Sequence, residues 1–247
     1  MKIGVLVTGD SADEIAQKFG RYPEQFKALF NPFEKDIEWV AYTVHLNDFP
    51  QSATECDAWI ISGSKHGVYD NFPWMIKLAD FIRDIVAAKK RLVGICFGHQ
   101  IIAHALGGEV IKVKKGFGIG VHEYKIVIPS AITHLAKGDL FDLTIKRDFK
   151  IQVIHGDQVV KLPDSAEIIA TSEWCEFAGL YYPEGVLTFQ SHPEFNADFM
   201  KHLLAYKWRL NDEWVDEKVL AHALENIEQP IDSQSIAHLL INFLTEK

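Results

Sequence analysis

One short segment of the chain has the residue spacing of an activated cysteine. The residues from Gly94 to Gly98, with Cys96 at their centre, follow an apolar stretch typical of a strand and precede one typical of a helix. A Gly-x-Cys-x-Gly sequence between a strand and a helix is the cysteine version of the nucleophile elbow. The glycines permit a sharp turn that exposes the side chain, and the start of a helix favours thiolate over thiol. We therefore predict that Cys96 is a nucleophile.

The other two cysteines, Cys56 and Cys175, lack this context. Neither lies between glycines at a junction of strand and helix, and a free cysteine is ordinarily a small buried hydrophobic residue. The three cysteines are far apart, without the paired spacing of a zinc site or the density of a disulfide framework. We interpret Cys56 and Cys175 as core residues and expect a reducing, cytoplasmic environment.

A candidate base follows another apolar stretch, Gly185 to Gln190. His192 and Glu194 come after this predicted strand, at the carboxyl edge of a parallel sheet where α/β active sites collect. Residues two apart in extended chain project to the same side, so Glu194 could orient the imidazole while its other nitrogen faces the sulfur. Taken alone, the segment is better explained as a solvated polar turn. Together with Cys96, it predicts a nucleophile, a base and an orienting acid.

A third predicted strand, which starts at Ala58, ends in the small residues Ser62, Gly63 and Ser64. Attack on an amide carbonyl creates an oxyanion that needs fixed N–H donors, and small residues let the backbone approach closely enough to supply them. The candidate donors are the N–H groups of Phe97 and Ser64, with Gly63 as the alternative to Ser64. By itself, this segment would be an ordinary surface turn.

The elements that must position these groups are typical of an α/β fold. Short apolar stretches rich in β-branched residues alternate with amphipathic segments such as Trp74 to Ala88, as in a parallel sheet covered by helices. Closely spaced strand candidates from Glu109 to Gln190 predict added antiparallel strands. After Pro193 the pattern is helical, with a break at Pro230. The predicted strands are 3–7, 37–44, 58–62, 91–95, 110–113, 122–128, 151–154, 167–170 and 185–190, and the C-terminal helices are 197–210, 214–227 and 235–244.

The composition indicates a soluble globular protein. Of 247 residues, 48% are hydrophobic, and the net charge is -9. This negative charge argues against nucleic acid or an anionic membrane as partners, because both attract concentrated positive charge. No apolar stretch approaches the roughly 20 residues that cross a bilayer. His99 and His104 lie five apart on a predicted helix, on different faces, so we predict no metal site. We also expect no cofactor.

Three segments of the chain resemble the class I glutamine amidotransferases in sequence and in order: Ile61 to Ser64, Gly94 to Gln100 and Ser191 to Glu194. The resemblance covers about residues 1–205 and implies a three-layer, Rossmann-like (flavodoxin-like) domain with a mostly parallel central sheet. Residues 206–247 would form a C-terminal helical extension packed on the same domain. The implied triad, which hydrolyses the side-chain amide of glutamine, is Cys96, His192 and Glu194. The implied substrate contacts are Gln100, Ile154, His155, Gly156 and Asp157.

Within this family, the segments 62–65, 94–100, 115–117 and 192–196 look most like stand-alone relatives of the amidotransferase half of GMP synthetase. That group includes plant γ-glutamyl peptidases. The chain departs from GMP synthetase in having Ser64-Lys65 where Gly-Pro is usual, and it lacks an ATP-pyrophosphatase motif.

The resemblance implies a hydrolase that cleaves a γ-glutamyl amide bond through a thioester on Cys96. Its small-molecule substrate would be glutamine or a γ-glutamyl compound. Two alternatives remain. One is a glutaminase that delivers ammonia to a separate synthetase such as a GMP synthetase, and the other is a catalytically inactive binding or regulatory relative.

Overall fold

The computed structural model describes residues 1–127, 148–210 and 217–246. Strands and helices alternate in the first half, and strands dominate the middle of the chain. The elements are β1 (Lys2–Leu6), α1 (Asp13–Phe19), α2 (Tyr22–Phe30), β2 (Glu38–Tyr42), β3 (Ala58–Ile61), α3 (Pro73–Ala87), β4 (Arg91–Ile95), α4 (Phe97–Ala105), β5 (Glu109–Lys112), β6 (Gly118–Ile126), β7 (Asp148–His155), β8 (Asp157–Lys161), β9 (Glu167–Thr171), β10 (Gly179–Tyr182), β11 (Val186–Phe189), α5 (Ala197–Arg209), α6 (Glu217–Asn226) and α7 (Ser233–Thr245).

The central sheet has nine strands in the order β2-β1-β3-β4-β11-β10-β9-β6-β7. The first five strands of this order are mutually parallel, and the other four extend the sheet in antiparallel fashion. β5 and β8 form a separate antiparallel pair. Every residue of β3 and β11 is buried, which explains their continuous apolar sequences: both faces of a parallel sheet must be covered.

Helices cover the central sheet on its two faces. One core cluster joins the sheet to α2 and α7 through residues such as Phe26 and Leu240. A second cluster joins it to α3 and α4 through residues such as Leu78 and Ile102. A third, smaller cluster packs α1 against α5 and α6. This arrangement makes three layers, with β4 and β11 at the centre of the sheet.

The C-terminal segment pairs with the edge strand β7. Lys150 N–H donates to Asp232 Oδ2 (2.8 Å), and Asp232 N–H donates back to Lys150 O (2.7 Å). The Gln152 amide donates to Ile227 O (3.1 Å), while Gln152 O accepts the N–H of His192 (2.9 Å). Polar groups on a sheet edge that would otherwise be free are therefore satisfied, and the C-terminal helices contact the strand that supports His192.

The α/β fold class is confirmed, including the added antiparallel strands and the C-terminal helices. Four elements, α1, α2, β8 and β10, are absent from the predicted set, and β6 begins four residues before its predicted start. α1 and β10 are short, and only Gly156 separates β7 from β8, so local patterns define them poorly. The predicted strand end at 128 and helix start at 214 lie outside the described residues, and the division at residue 205 stays a prediction. In the described ranges, no helix is long and apolar enough to cross a membrane.

Candidate active site

Cys96 lies in a strained turn between β4 and α4. Its backbone angles are φ 53° and ψ -103°, in the left-handed half of φ space that residues other than glycine rarely adopt. The turn is held by the Cys96 N–H, which donates to Phe189 O (2.8 Å). Cys96 is 6% exposed and caps the N-terminus of α4, where the helix dipole favours a negative charge.

The two glycines of this turn are required by close backbone contacts. A Cβ atom added at Gly98 would lie 2.4 Å from Ile61 O, and one added at Gly94 would lie 2.7 Å from Gly98 O. Such distances are shorter than any carbon to oxygen contact in a packed core. The glycines therefore let α4 start directly against β3 and β4, which is the geometry predicted for the elbow.

His192 and Glu194 follow β11, the strand that pairs with β4. In this pairing Phe189 lies opposite Ile95, so the chain segments that follow the two strands leave the sheet side by side. His192 Nδ1 contacts Glu194 Oε1 at 2.7 Å, and both side chains are almost completely buried. Because a carboxylate only accepts hydrogen bonds, Nδ1 is the donor. Nε2 is therefore the nitrogen left for proton transfer.

The charges around His192 favour its protonated form. Burial alone would lower its pKa, but the negative charges of Cys96 and Glu194 outweigh burial and raise the pKa from 6.5 to about 10. The ring of Phe195 stacks on the imidazole, with centroids 4.1 Å apart and planes 5° apart, and an aromatic face attracts a cation. At neutral pH this arrangement holds an imidazolium beside the sulfur.

The predicted oxyanion segment lies against the imidazole. A Cβ atom added at Gly63 would be 3.0 Å from His192 Cε1 and 2.7 Å from the Tyr22 hydroxyl oxygen. Phe97 is the first residue of α4, so its N–H has no acceptor within the helix. The structure thus brings Gly63 next to His192 and places Phe97 directly after Cys96.

The residues predicted to contact substrate hold one loop in place. The Gln100 side-chain amide donates to Asp157 O (3.0 Å) and to Gln190 Oε1 (3.0 Å). His155 Nδ1 also donates to Asp157 O (3.0 Å). Gly156 lies under the ring of Phe117, where a Cβ atom would be 2.5 Å from a ring carbon. Ile154 O is 3.9 Å from Cys96 Sγ. Direct contact of these residues with substrate stays a prediction.

Four further side chains border the site and were not predicted. Gln190 donates its amide to Cys96 Sγ (3.6 Å), and Tyr69 donates its hydroxyl to Asp157 Oδ1 (2.9 Å). Tyr22 lies beside Gly63, as described above, and the Thr8 hydroxyl contacts the Gly63 carbonyl oxygen. The sequence pattern could have indicated Thr8 and Gln190, since each is a polar residue just beyond a buried strand, at the carboxyl ends of the parallel strands. No sequence pattern indicates Tyr22 or Tyr69.

The other two cysteines lie outside the turn between β4 and α4: Cys56 precedes β3, and Cys175 lies between β9 and β10. Cys56 and Cys175 are buried and free, and burial raises the pKa of Cys175 to about 12. Cys175 therefore stays a neutral thiol at neutral pH. Among the residues that the structure describes, no group of three or more His, Cys, Asp and Glu side chains could hold a metal ion.

The buried His99 is expected to make the fold sensitive to acid. It hydrogen-bonds Thr188 Oγ1 (2.8 Å), and burial lowers its pKa from 6.5 to about 3. The unfolded chain therefore binds this proton more readily, and stability is lost as the pH falls from about 6.5 towards 3. Urea unfolding of the His99→Gln variant between pH 7 and 4 should show a weaker loss than the wild type. His104→Gln, an exposed change on the same helix, is the control; equal pH slopes for both variants would contradict this expectation.

The comparisons with known proteins identify the family of the chain. The family described as "Glutamine amidotransferase class-I" matches residues 31–208. A Schizosaccharomyces pombe protein named glutamine amidotransferase-like is 30% identical, over 99% of this chain and 98% of its own length. Gamma-glutamyl peptidase 2 of Arabidopsis thaliana is 29% identical, over 93% of this chain and 90% of its own length.

A solved structure supports the fold. The crystal structure of a glutamine amidotransferase from Thermotoga maritima superposes with a TM-score of 0.75, covering 100% of this chain and 99% of that one, at 21% identity. The family model spans most of the chain, and the S. pombe protein aligns from end to end. The resemblance stated from the sequence is thereby confirmed, and the chain belongs to the class I glutamine amidotransferase family.

Proposed function

We propose that this protein is a cysteine-dependent hydrolase of γ-glutamyl amide bonds, with Cys96 as nucleophile, His192 as acid and base, and Glu194 as the group that orients His192. The observation that carries the proposal is the buried ion pair of His192 and Glu194 beside a cysteine in a strained turn at a helix N-terminus. A buried charged pair next to a nucleophile is costly for a purely structural role and is typical of catalysis.

In the first half of the reaction, the Cys96 thiolate attacks the γ-carbonyl carbon of the substrate. The carbonyl oxygen becomes an oxyanion and accepts hydrogen bonds from the N–H groups of Phe97 and Ser64. The carbon to nitrogen bond then breaks, and His192 donates its Nε2 proton to the leaving amine. The product of this half is a γ-glutamyl thioester on Cys96.

In the second half, a water molecule attacks the thioester. His192, now neutral, takes a proton from the water, and the carbon to sulfur bond breaks. Glutamate leaves, and Cys96 and His192 return to their starting ionic forms. The net reaction is the hydrolysis of one amide bond by one water molecule. Glu194 keeps the Nδ1 proton in place throughout both halves.

The leaving group that we favour is an amino acid or peptide. The Arabidopsis relative, whose match covers 93% of this chain and 90% of its own length, carries the name gamma-glutamyl peptidase. The same chemistry on glutamine would release ammonia, and a separate synthetase would then have to receive it. The third alternative, an inactive relative, is opposed by the complete set of Cys96, His192 and Glu194 in one buried arrangement.

The substrate test incubates four compounds separately with the purified protein. Glutathione and a γ-glutamyl dipeptide should release glutamate, measured by chromatography, whereas the α-glutamyl dipeptide of the same composition should stay intact. Glutamine is the fourth compound. The Cys96→Ala protein, purified in parallel, controls for contaminating hydrolases.

Each outcome selects one function. Turnover of the γ-glutamyl peptides supports the proposal. Turnover of glutamine alone would favour the ammonia donor over the peptidase. If neither is hydrolysed and a thiol-reactive glutamine analogue fails to label Cys96, the enzymatic proposal is wrong.

A further inference from the structure

Thr8 is joined to the oxyanion segment by its backbone and by its side chain. This residue follows β1 and is fully buried. Its hydroxyl oxygen lies 2.9 Å from Gly63 O and 3.0 Å from Ser62 O. Its backbone N–H donates to Ser62 Oγ (3.0 Å), and its backbone carbonyl accepts from Ser64 Oγ (2.8 Å). Three consecutive residues of the segment are thus tied to one threonine.

The carbonyl of Gly63 is the point at which these contacts converge. A threonine hydroxyl has one hydrogen, and Gly63 O is the nearer of its two carbonyl acceptors. The Ser62 hydroxyl lies 3.2 Å from the same oxygen and can donate to it as well. Two buried hydroxyls therefore face a single carbonyl, which fixes the rotation of the peptide between Gly63 and Ser64.

The direction of this carbonyl determines the direction of the neighbouring N–H. In a planar trans peptide, the C=O of Gly63 and the N–H of Ser64 point in opposite directions. Thr8 follows β1, and Cys96 follows β4; these two strands lie on opposite sides of β3 in the sheet. A carbonyl that points towards Thr8 thus turns the Ser64 N–H towards the side of Cys96. In the described ranges, this N–H donates to no other group of the protein.

We propose that Thr8 is a positioning residue, whose hydroxyl holds the Gly63 carbonyl so that the Ser64 N–H faces Cys96 before substrate binds. The inference rests on the proposed function, since it gives the Ser64 N–H a role in binding the oxyanion. If the hydroxyl were absent, the peptide could rotate and present an oxygen where a donor is needed. The oxyanion would then lose one hydrogen bond, and the chemical step would be slowed.

The experiment compares Thr8→Val, which has the shape of threonine without the hydroxyl, with Thr8→Ser, which keeps the hydroxyl. Thr245→Val is the control, because it removes a hydroxyl that donates to Ile241 O at the end of α7 (2.9 Å). For each protein, kcat and KM with a γ-glutamyl dipeptide, the rate of Cys96 alkylation by iodoacetamide, and a crystal structure are determined.

We expect Thr8→Val to lower kcat by about 100-fold or more with KM nearly unchanged, since this is the usual cost of losing one oxyanion donor. Alkylation of Cys96 should proceed at the wild-type rate, and the crystal structure should show the Gly63–Ser64 peptide rotated. Thr8→Ser and Thr245→Val should retain the wild-type kcat and peptide orientation.

Three results would overturn the inference and leave the hydrolase proposal standing: an unchanged kcat in Thr8→Val, an unrotated peptide, or an equal loss in Thr8→Ser. If the wild-type protein hydrolyses no γ-glutamyl compound, the proposed function fails instead. In that case the crystal structures still test the positioning role of Thr8. A peptide that rotates in Thr8→Val and not in Thr8→Ser supports this role.

Discussion

Cys96→Ala is expected to abolish hydrolysis of γ-glutamyl compounds, with kcat lower by roughly 10⁴-fold or more, as for other enzymes that lose their nucleophile. The proposed reaction requires a covalent thioester, and neither of the other two cysteines lies in a turn at a helix N-terminus, since Cys56 precedes β3 and Cys175 lies between β9 and β10. Alanine removes the sulfur and keeps the Cβ atom, so the turn and the helix start should be preserved.

The measurement is the rate of glutamate release at saturating substrate, together with mass spectrometry of a trapped acyl-enzyme. Cys175→Ala is the matched control, because Cys175 is also a free, buried cysteine. It should lose some stability through the small cavity but keep its activity per folded molecule. If Cys96→Ala retained a substantial fraction of the wild-type rate, the thioester mechanism would have to be abandoned.

The same position allows a test of backbone strain. Cys96 has a φ of 53°, which glycine adopts without a steric cost and alanine does not. Cys96→Gly should therefore be inactive, like Cys96→Ala, but more stable than it by about 1 kcal/mol. Urea unfolding of the two variants provides the comparison. Equal stability would mean that the turn stores no strain.

Glu194→Gln is expected to have the second largest effect, a fall in kcat of about 100- to 10,000-fold. The Glu194 carboxylate is fully buried and accepts the Nδ1 proton of His192 at 2.7 Å. Glutamine keeps nearly the same shape but has no negative charge, so the pKa of His192 should fall from its raised value. Less imidazolium would then be present to pair with the thiolate and to protonate the leaving amine.

Two readouts separate this effect from a loss of folding. The profile of kcat/KM against pH should change in Glu194→Gln, and NMR of the imidazole should show titration of His192 at lower pH than in the wild type. Glu246→Gln is the control, because Glu246 also pairs with a basic side chain, Arg91 (2.6 Å), at the start of β4 and thus at the end of this strand opposite Cys96. An unchanged rate and an unchanged titration of His192 would show that Glu194 does not orient the base.

Predictions from sequence were most accurate where short-range patterns determine structure. β3 and β4 follow their apolar stretches closely, since a strand buried on both faces needs continuous apolar residues. β8 and β10 were missed, because β8 follows β7 almost without a break and β10 is four residues long. Such short strands are defined by their partners more than by their own residues.

The site also combines features that follow from local sequence with features that depend on distant partners. Gly94, Cys96 and Gly98 are adjacent in sequence, so the turn between β4 and α4, the helix dipole at the sulfur and the need for glycine all follow from local residue types. The sequence by itself therefore determined the strained turn at Cys96 and its place at a helix N-terminus, on which the proposed role as nucleophile rests. His192 and Glu194 are likewise two residues apart, and their mutual contact follows from that spacing.

What only the tertiary structure decided is which distant groups surround Cys96. The pairing of β11 with β4 brings His192 to the elbow, and the pairing of β1 with β3 brings Thr8 to the carbonyl of Gly63. Tyr22 and Gln190 reach the site from separate elements. Strand order is set by the burial of apolar faces over the whole sheet. For that physical reason, the contacts around the proposed oxyanion donors depend on the folded sheet and on no single segment of the sequence.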